Sequence, residues 1–279
     1  MPNIELTPFT HASSFRRIAA ASWDDMYQAT VYGQLTVRVE PLEAYIASYR
    51  EKTGKKITIT HCLARAWAIL LARHPDINAI IRRRSLYLRD HVDVFVQVAI
   101  ESNDPKRLGK TDLSGIIIRD ADKMTVGAMA DYIAEKAARI RSSGDKDFER
   151  TKGQARVIPG WLFHYALKAI IFLQYTLNID TKFLGAPRDP FGSCMITSVG
   201  MFDAPVGFAP FFPLARCPIV ICIGSTLEAA VVEDGKVVAG RVVNIQATMD
   251  HRIIDGVHAG LLSKELKELL THPEMLGEP

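Results

Sequence analysis

The sequence predicts an α+β fold in which a mixed central β-sheet is flanked by helices. Strand-like and helix-like stretches mix without a strict strand–helix–strand alternation, which disfavours a doubly wound sheet. His91–Ile100 (HVDVFVQVAI) alternates apolar and polar residues from Val92 on, the pattern of a half-buried strand. Pro218–Gly224 (PIVICIG) is continuously apolar, as in a central strand covered on both faces. At 279 residues, 48% of them apolar, the chain can bury a full core, and residues 1–279 are expected to form a single domain.

Taken in order, residues 1–13 read as an irregular arm and Ser14–Trp23 as a short helix carrying Arg16 and Arg17. Ala29–Val39 alternates like a strand, with a bulge expected at Gly33. Pro41 suits a first helical position, and Leu42, Tyr45, Ile46 and Tyr49 make a helical stripe that stops at Gly54. Ile57–Thr60 is a short β-prone stretch. His61–His74 reads as a mostly buried helix halted by Pro75. Leu113–Arg119 is a further strand, and Thr125 caps a long helix over Val126–Arg141. Val157–Leu177 is rich in aromatic and aliphatic residues and nearly long enough to span a bilayer. Pro159, Gly160, His164, Lys168 and Gln174 interrupt it, so a helix packed on protein is expected, with a membrane-surface helix as the alternative. Gly192–Val199 is a small strand, followed by Val206–Phe212 between prolines. Leu227–Val232 and Lys236–Thr248 flank Glu233-Asp234-Gly235, a hairpin signal, and Val257–Leu270 is an amphipathic helix.

A net charge of +3 and short basic clusters without aromatic interleaving argue against nucleic acid as a partner. The N-terminus has no basic-then-apolar signal pattern. Cys62, Cys194, Cys217 and Cys222 lie in apolar runs without CxxC spacing, which predicts buried free thiols, no zinc site and a cytoplasmic location. No phosphate-cradling glycine pattern or GxSxG elbow is present. His61 and His74 read as core or end-of-helix residues. His251 and His258 are seven apart, but a helix start at Asp255-Gly256 leaves His251 outside the helix, so no metal is expected. His251 itself stands at the mouth of a strand, four residues before a helix-capping aspartate. Histidine suits proton transfer near neutral pH, although this spacing alone fits structural hydrogen bonding as well.

Four separated segments extend that reading. DHRIIDG, after a strand and before a leucine-rich helix, resembles the catalytic signature of the acyltransferase component of 2-oxoacid dehydrogenase complexes, whose fold is shared by chloramphenicol acetyltransferase. Ile116–Lys123 (IIIRDADK), Ile196–Phe202 (ITSVGMF) and Phe15–Ala19 (FRRIA) are similar to other family segments in the same order. The resemblance covers roughly residues 14–141 and 190–275. It implies a chloramphenicol acetyltransferase-like fold and acyl transfer at a thioester. His251 would be the general base, and Thr197, in place of a family serine, the hydroxyl donor to the oxyanion, with Ser198 as fallback. Such a donor is worth ~2.7–4 kcal/mol in the transition state. Asp255, followed by Gly256, would hold the loop by pairing with Arg16 or Arg17. The family places its active site between subunits of a trimer, His251 of one chain facing Thr197 of the next. With no lipoyl or subunit-binding domain in the sequence, a coenzyme A thioester used directly is the expected donor, a lipoyl thioester the alternative, and no tightly bound cofactor is expected. The acceptor is open. Residues 150–190 read as an insertion that builds an apolar acceptor pocket. Two other readings stand beside this one: a non-catalytic trimeric or cage scaffold, and a membrane-associated lipid acyltransferase.

Overall fold

The structure, a computed structural model, describes residues 2–8, 29–100, 112–143, 160–212 and 215–277. Its strands are β1 (Leu6–Pro8), β2 (Thr30–Arg38), β3 (Ala79–Arg82), β4 (Ser85–Arg89), β5 (Val94–Ile100), β6 (Asp112–Ile118), β7 (Cys194–Ser198), β8 (Ile219–Glu233) and β9 (Lys236–Asp250). Its helices are α1 (Glu40–Thr53), α2 (Ile59–Arg73), α3 (Val126–Ser143), α4 (Gly160–Ile171, continued by a π turn over Phe172–Thr176) and α5 (Gly256–Thr271). The main sheet has the order β2-β9-β8-β7-β5-β6. Strand β7 runs parallel to both neighbours and every other pairing is antiparallel, so the sheet is mixed. A small antiparallel sheet, β1-β4-β3, stands apart from it.

The two faces of the main sheet differ. Cys194 and Ile196 of β7, Ile219, Ile221 and Ile223 of β8, and Ile245 and Met249 of β9 point into the main core, against apolar residues of α1, α2, α3 and α5. The alternate residues face the other way. Met195 and Val220 pack there with Phe211, Ala215 and Cys217. Asn244 and Thr248 bond the carbonyls of Pro205 and Ala209 at 3.2 and 2.7 Å. The stretch from Pro205 to Phe212 is therefore held on the sheet partly by polar bonds. Tyr32, Met201, Phe202, Phe208 and Phe212 are left exposed around it.

Most expected elements are present. Gly54 closes α1 in the left-handed conformation (φ 73°), Thr125 accepts from the Ala128 N–H at the start of α3, and Asp234-Gly235 form the β8–β9 turn with φ 48° and 76°. All four cysteines are free and buried. Several expectations are corrected. The arm contains a strand, β1, because Leu6–Pro8 can pair with Tyr87–Arg89. Gly33 is not a bulge: the β2–β9 register runs unbroken through Gly33 opposite Ala247. Ile57–Thr60 is no strand; Thr58 is the N-cap of α2, in a reciprocal capping box with His61. The two runs on either side of Gly224 are one strand, β8, with an irregularity between Ile223 and Thr226. The helix expected at Ser14–Trp23 lies outside the described residues.

The β3–β4 hairpin was not foreseen. Its turn is Arg83-Arg84, both at positive φ (50° and 62°), where glycine or asparagine is the usual signal.

His91 ties the two sheets together. Its Nε2 lies 2.8 Å from Glu5 and its Nδ1 2.9 Å from Asp120. Hydrogen bonds to Asp120 and Glu5 raise its pKa above the ordinary 6.5. Glu5 is held below its ordinary 4.5 chiefly by the bond from His91, and Asp120 below 3.8 by bonds from Lys123 and then His91. The histidine's contribution is complete below 6.5 and is lost as pH rises through its raised pKa. The carboxylates' contribution is complete above 4.5 and is lost as pH falls through their lowered pKa values. The difference in Tm between the wild type and His91→Gln is thus expected to be largest between those limits and to shrink on both sides. A difference that stays level with pH would contradict the bridge.

Candidate active site

The segment Asp250–Asp255 folds into a compact loop between β9 and α5. The Asp250 carbonyl accepts from the Ile253 and Ile254 N–H groups, both at 2.9 Å, and Ile253 and Ile254 are buried in the core. The Asp250 carboxylate accepts the Arg252 N–H at 3.1 Å and its guanidinium at 2.9 and 2.6 Å. Asp250 and Arg252 are 2% and 4% exposed, so this is a forked ion pair sealed from water. The His251 N–H donates to Ala29 O at 2.8 Å, which turns the residue toward the β2 side of the sheet. Its ring, half-buried, has Nδ1 3.1 Å from Ile254 O. A carbonyl only accepts, so this bond requires the proton on Nδ1 and puts the basic lone pair on Nε2.

Asp255 is the N-cap of α5. Its Oδ1 accepts from the N–H groups of Val257 and His258, both at 3.0 Å, and lies 2.6 Å from His258 Nδ1. Burial raises its pKa, and the bonds from the His258 backbone and ring and from Val257 outweigh this, leaving it below the ordinary 3.8. The expected partners Arg16 and Arg17 lie outside the described residues. A Cβ at Gly256 would meet nothing within 4 Å, so nothing in the described surroundings explains a glycine there.

Thr197 is on β7, opposite Cys222 of β8, and Cys222 is opposite Gln246 of β9. Asp250 is four residues further along β9. Strand rise and spacing put the Cα atoms of Thr197 and Asp250 roughly 16 Å apart, and His251 then turns away toward β2. Within one chain the imidazole cannot reach the Thr197 hydroxyl. Ser198 is committed to the turn after β7: its hydroxyl donates to Ile223 O at 3.5 Å and accepts from Gly200 N at 3.4 Å.

His61 and His74 serve the scaffold. His61 completes the α2 capping box, and burial lowers its pKa to about 4, so it stays neutral. His74 bonds Glu265 across α2 and α5 at 2.8 Å. Among the described residues no group of His, Cys, Asp and Glu side chains could hold a metal ion.

Residues 10–155 and 190–277 match the family of 2-oxoacid dehydrogenases acyltransferase (catalytic domain). The chain belongs to this family. Residues 156–189, which include α4, fall outside the match. The chain is 24% identical over 228 residues to the dihydrolipoyllysine-residue acetyltransferase component of the acetoin cleaving system of Bacillus subtilis, covering 81% of this chain and 44% of that protein. It thus spans less than half the length of that relative. Among solved structures, it is similar to Azotobacter vinelandii dihydrolipoamide acetyltransferase, with a TM-score of 0.63 and 21% identity over 98% of this chain and 93% of that one. It is also similar to a chloramphenicol acetyltransferase, with a TM-score of 0.56 and 13% identity over 95% of this chain and all of that one. These likenesses establish a chloramphenicol acetyltransferase-like fold.

Sequence reasoning located His251 and the capping role of Asp255 in this family member but missed the Asp250–Arg252 pair. The signal was there: a charged residue on either side of His251, in a stretch otherwise apolar enough to be core. Removing one partner strands a buried charge, so Arg252→Ala is expected to cost ~3–5 kcal/mol of stability by urea unfolding. A loss of a few tenths would show that the pair is open to water.

Proposed function

We propose that the chain is an acyltransferase that moves an acyl group from a coenzyme A thioester to an acceptor thiol or hydroxyl, and that its active site is assembled between two copies of the chain. The observation that carries this reading is the separation of His251 from Thr197 within one chain, the one just beyond the end of β9 and the other on β7, with β8 between. The His251 tautomer supports it, because a base needs its lone pair on Nε2 and a partner holding Nδ1–H. In the reaction, Nε2 takes the proton from the acceptor as its sulfur or oxygen attacks the thioester carbon. The Thr197 hydroxyl of the neighbouring copy donates to the oxyanion. The C–S bond then breaks, and the coenzyme A thiolate recovers the proton from the imidazolium. Ser198, tied into its turn, is the poorer donor.

The A. vinelandii enzyme was studied for the role of a serine, a histidine and, four residues after it, an asparagine in its catalytic mechanism. His251 and Asp255 have the same spacing. Another similar structure, with a TM-score of 0.62, is the cubic core of a pyruvate dehydrogenase multienzyme complex, which supports a homotrimer or a larger assembly here. The exposed Met201, Phe202, Phe208 and Phe212 beside the Thr197 face supply apolar surface for the contact. The buried free thiols favour the cytoplasm.

The insertion gives the acceptor side its character. On α4, Leu162, Tyr165, Ala169 and Phe172 are exposed and fall on one helical stripe. No helix of the described residues is long and apolar enough to cross a membrane. We read the stripe as a guide for an apolar acceptor; a membrane-surface role is the second reading. In a flotation assay with anionic vesicles, Leu162→Glu/Phe172→Glu would abolish binding if the second reading holds, and a wild type that stays at the bottom of the gradient removes it.

With acetyl-, propionyl- and longer acyl-CoA plus thiol acceptors, His251→Ala is expected to reduce thiol release to background. Thr197→Val is expected to lower kcat by ~10²–10³-fold and Thr197→Ser to retain activity. Full turnover by His251→Ala would remove the base assignment.

A further inference from the structure

His258, seven residues after His251, has a place of its own in the structure. It sits in the first turn of α5, 19% exposed, with each ring nitrogen on a carboxylate: Nδ1 is 2.6 Å from Asp255 Oδ1 and Nε2 is 3.0 Å from Asp76 Oδ2. An ionised carboxylate only accepts hydrogen bonds, so the two contacts together require hydrogen on both nitrogens. The ring is then an imidazolium between two anions. Asp76 belongs to the turn that leaves α2 for β3, a part of the chain far from the His251 loop in sequence.

Further along α5, Glu265 is engaged by His74 at 2.8 Å and by Arg73 at 3.5 Å, both at the end of α2. The α2–α5 seam therefore holds two ion clusters, one on Glu265 and one on His258.

We propose that His258 is a positioning residue for the general base. The imidazolium fastens Asp255 to Asp76 and thereby fixes the start of α5 against the end of α2. The residue just before Asp255 is Ile254, whose carbonyl holds Nδ1 of His251. A shift at Asp255 is passed through that carbonyl to the angle of the catalytic ring, and a misplacement of about 1 Å is enough to cost ~10²-fold in rate. His258 touches neither the acyl group nor the transferred proton. The inference rests on the reading of His251 as the base.

The test combines kinetics with ring NMR on the whole 279-residue chain. His258→Ala and Asp76→Asn are each expected to lower kcat by ~10–100-fold with the KM for acyl-CoA unchanged. The double variant should be no worse than either one, because both break the same bridge. His258→Arg, which keeps a cation able to span two carboxylates, should recover part of kcat, whereas the neutral His258→Gln should not. Independently of turnover, ¹⁵N spectra of the wild type at neutral pH should show His258 with hydrogen on both ring nitrogens, and Asp76→Asn should change that signature. Wild-type kcat in a folded His258→Ala, additive losses in the double variant, or a singly protonated His258 ring would each overturn the proposal. If the wild type transfers no acyl group from any donor while His251→Ala also changes nothing, the acyl-transfer reading fails and the positioning role falls with it. The NMR result would then still say whether the bridge exists as a structural device.

Discussion

Strand β9 is hydrogen-bonded on both sides, to β2 over Thr30–Arg38 and to β8 over nearly its whole length. That double pairing leaves it no freedom to slide. A slip of one residue would turn Ile245 and Met249 out of the core and bring Gln246 and Thr248 in, so the apolar face fixes the register. The register in turn fixes where the strand ends, and His251 is the first residue beyond its end. The same ladder sets Thr197 two strands away and several residues back. Strand rise and spacing keep the two groups about 16 Å apart within one chain, and this separation is the ground for proposing that a second copy completes the site.

Beyond the strand end, the loop is held by bonds that each use a different part of the motif. Asp250 and Arg252 neutralise one another in the interior, Ile253 and Ile254 anchor the loop in the core, and Asp255 caps the helix. His251, between the buried charges, is the half-buried residue whose ring is oriented by a backbone carbonyl. A buried ion pair is a poor source of net stability compared with apolar packing, but it is intolerant of misplacement. That property suits the presentation of one ring at one angle, which the proposed base role of His251 needs. The second ion bridge, through His258, extends the same restraint to the end of α2.

Much of this architecture was legible in the sequence because its signals are local. Alternation marked β5, unbroken apolar character marked β8, a turn with Asp-Gly marked the β8–β9 hairpin, and Thr125, Gly54 and Asp255 marked helix ends. What escaped was set by tertiary partners. Leu6–Pro8 is a strand only because β4 offers an edge. The β3–β4 turn uses two arginines at positive φ, against the usual residue preference. Gly33 looked like a bulge and is an ordinary ladder position. At the site, the type and spacing of His251 and Asp255 could be read directly, and the roles proposed for His251 and Thr197 came only through family resemblance. The ion partners of Asp250 and His258 could not be assigned: several acids and bases stand within reach in sequence, and only the packing of α2 against α5 selects Asp76.

The most direct test of an active site shared between chains is complementation between two defective variants. His251→Ala and Thr197→Val, each nearly inactive alone, would be dissociated, mixed in equal amounts and reassembled. If one chain supplies the base and its neighbour the hydroxyl, random association restores about a quarter of the sites, and acyl-CoA turnover should rise to about that fraction of the wild-type rate. If turnover stays at the level of the separate variants after verified reassembly, the two residues do not act across an interface, and the account of the site is wrong.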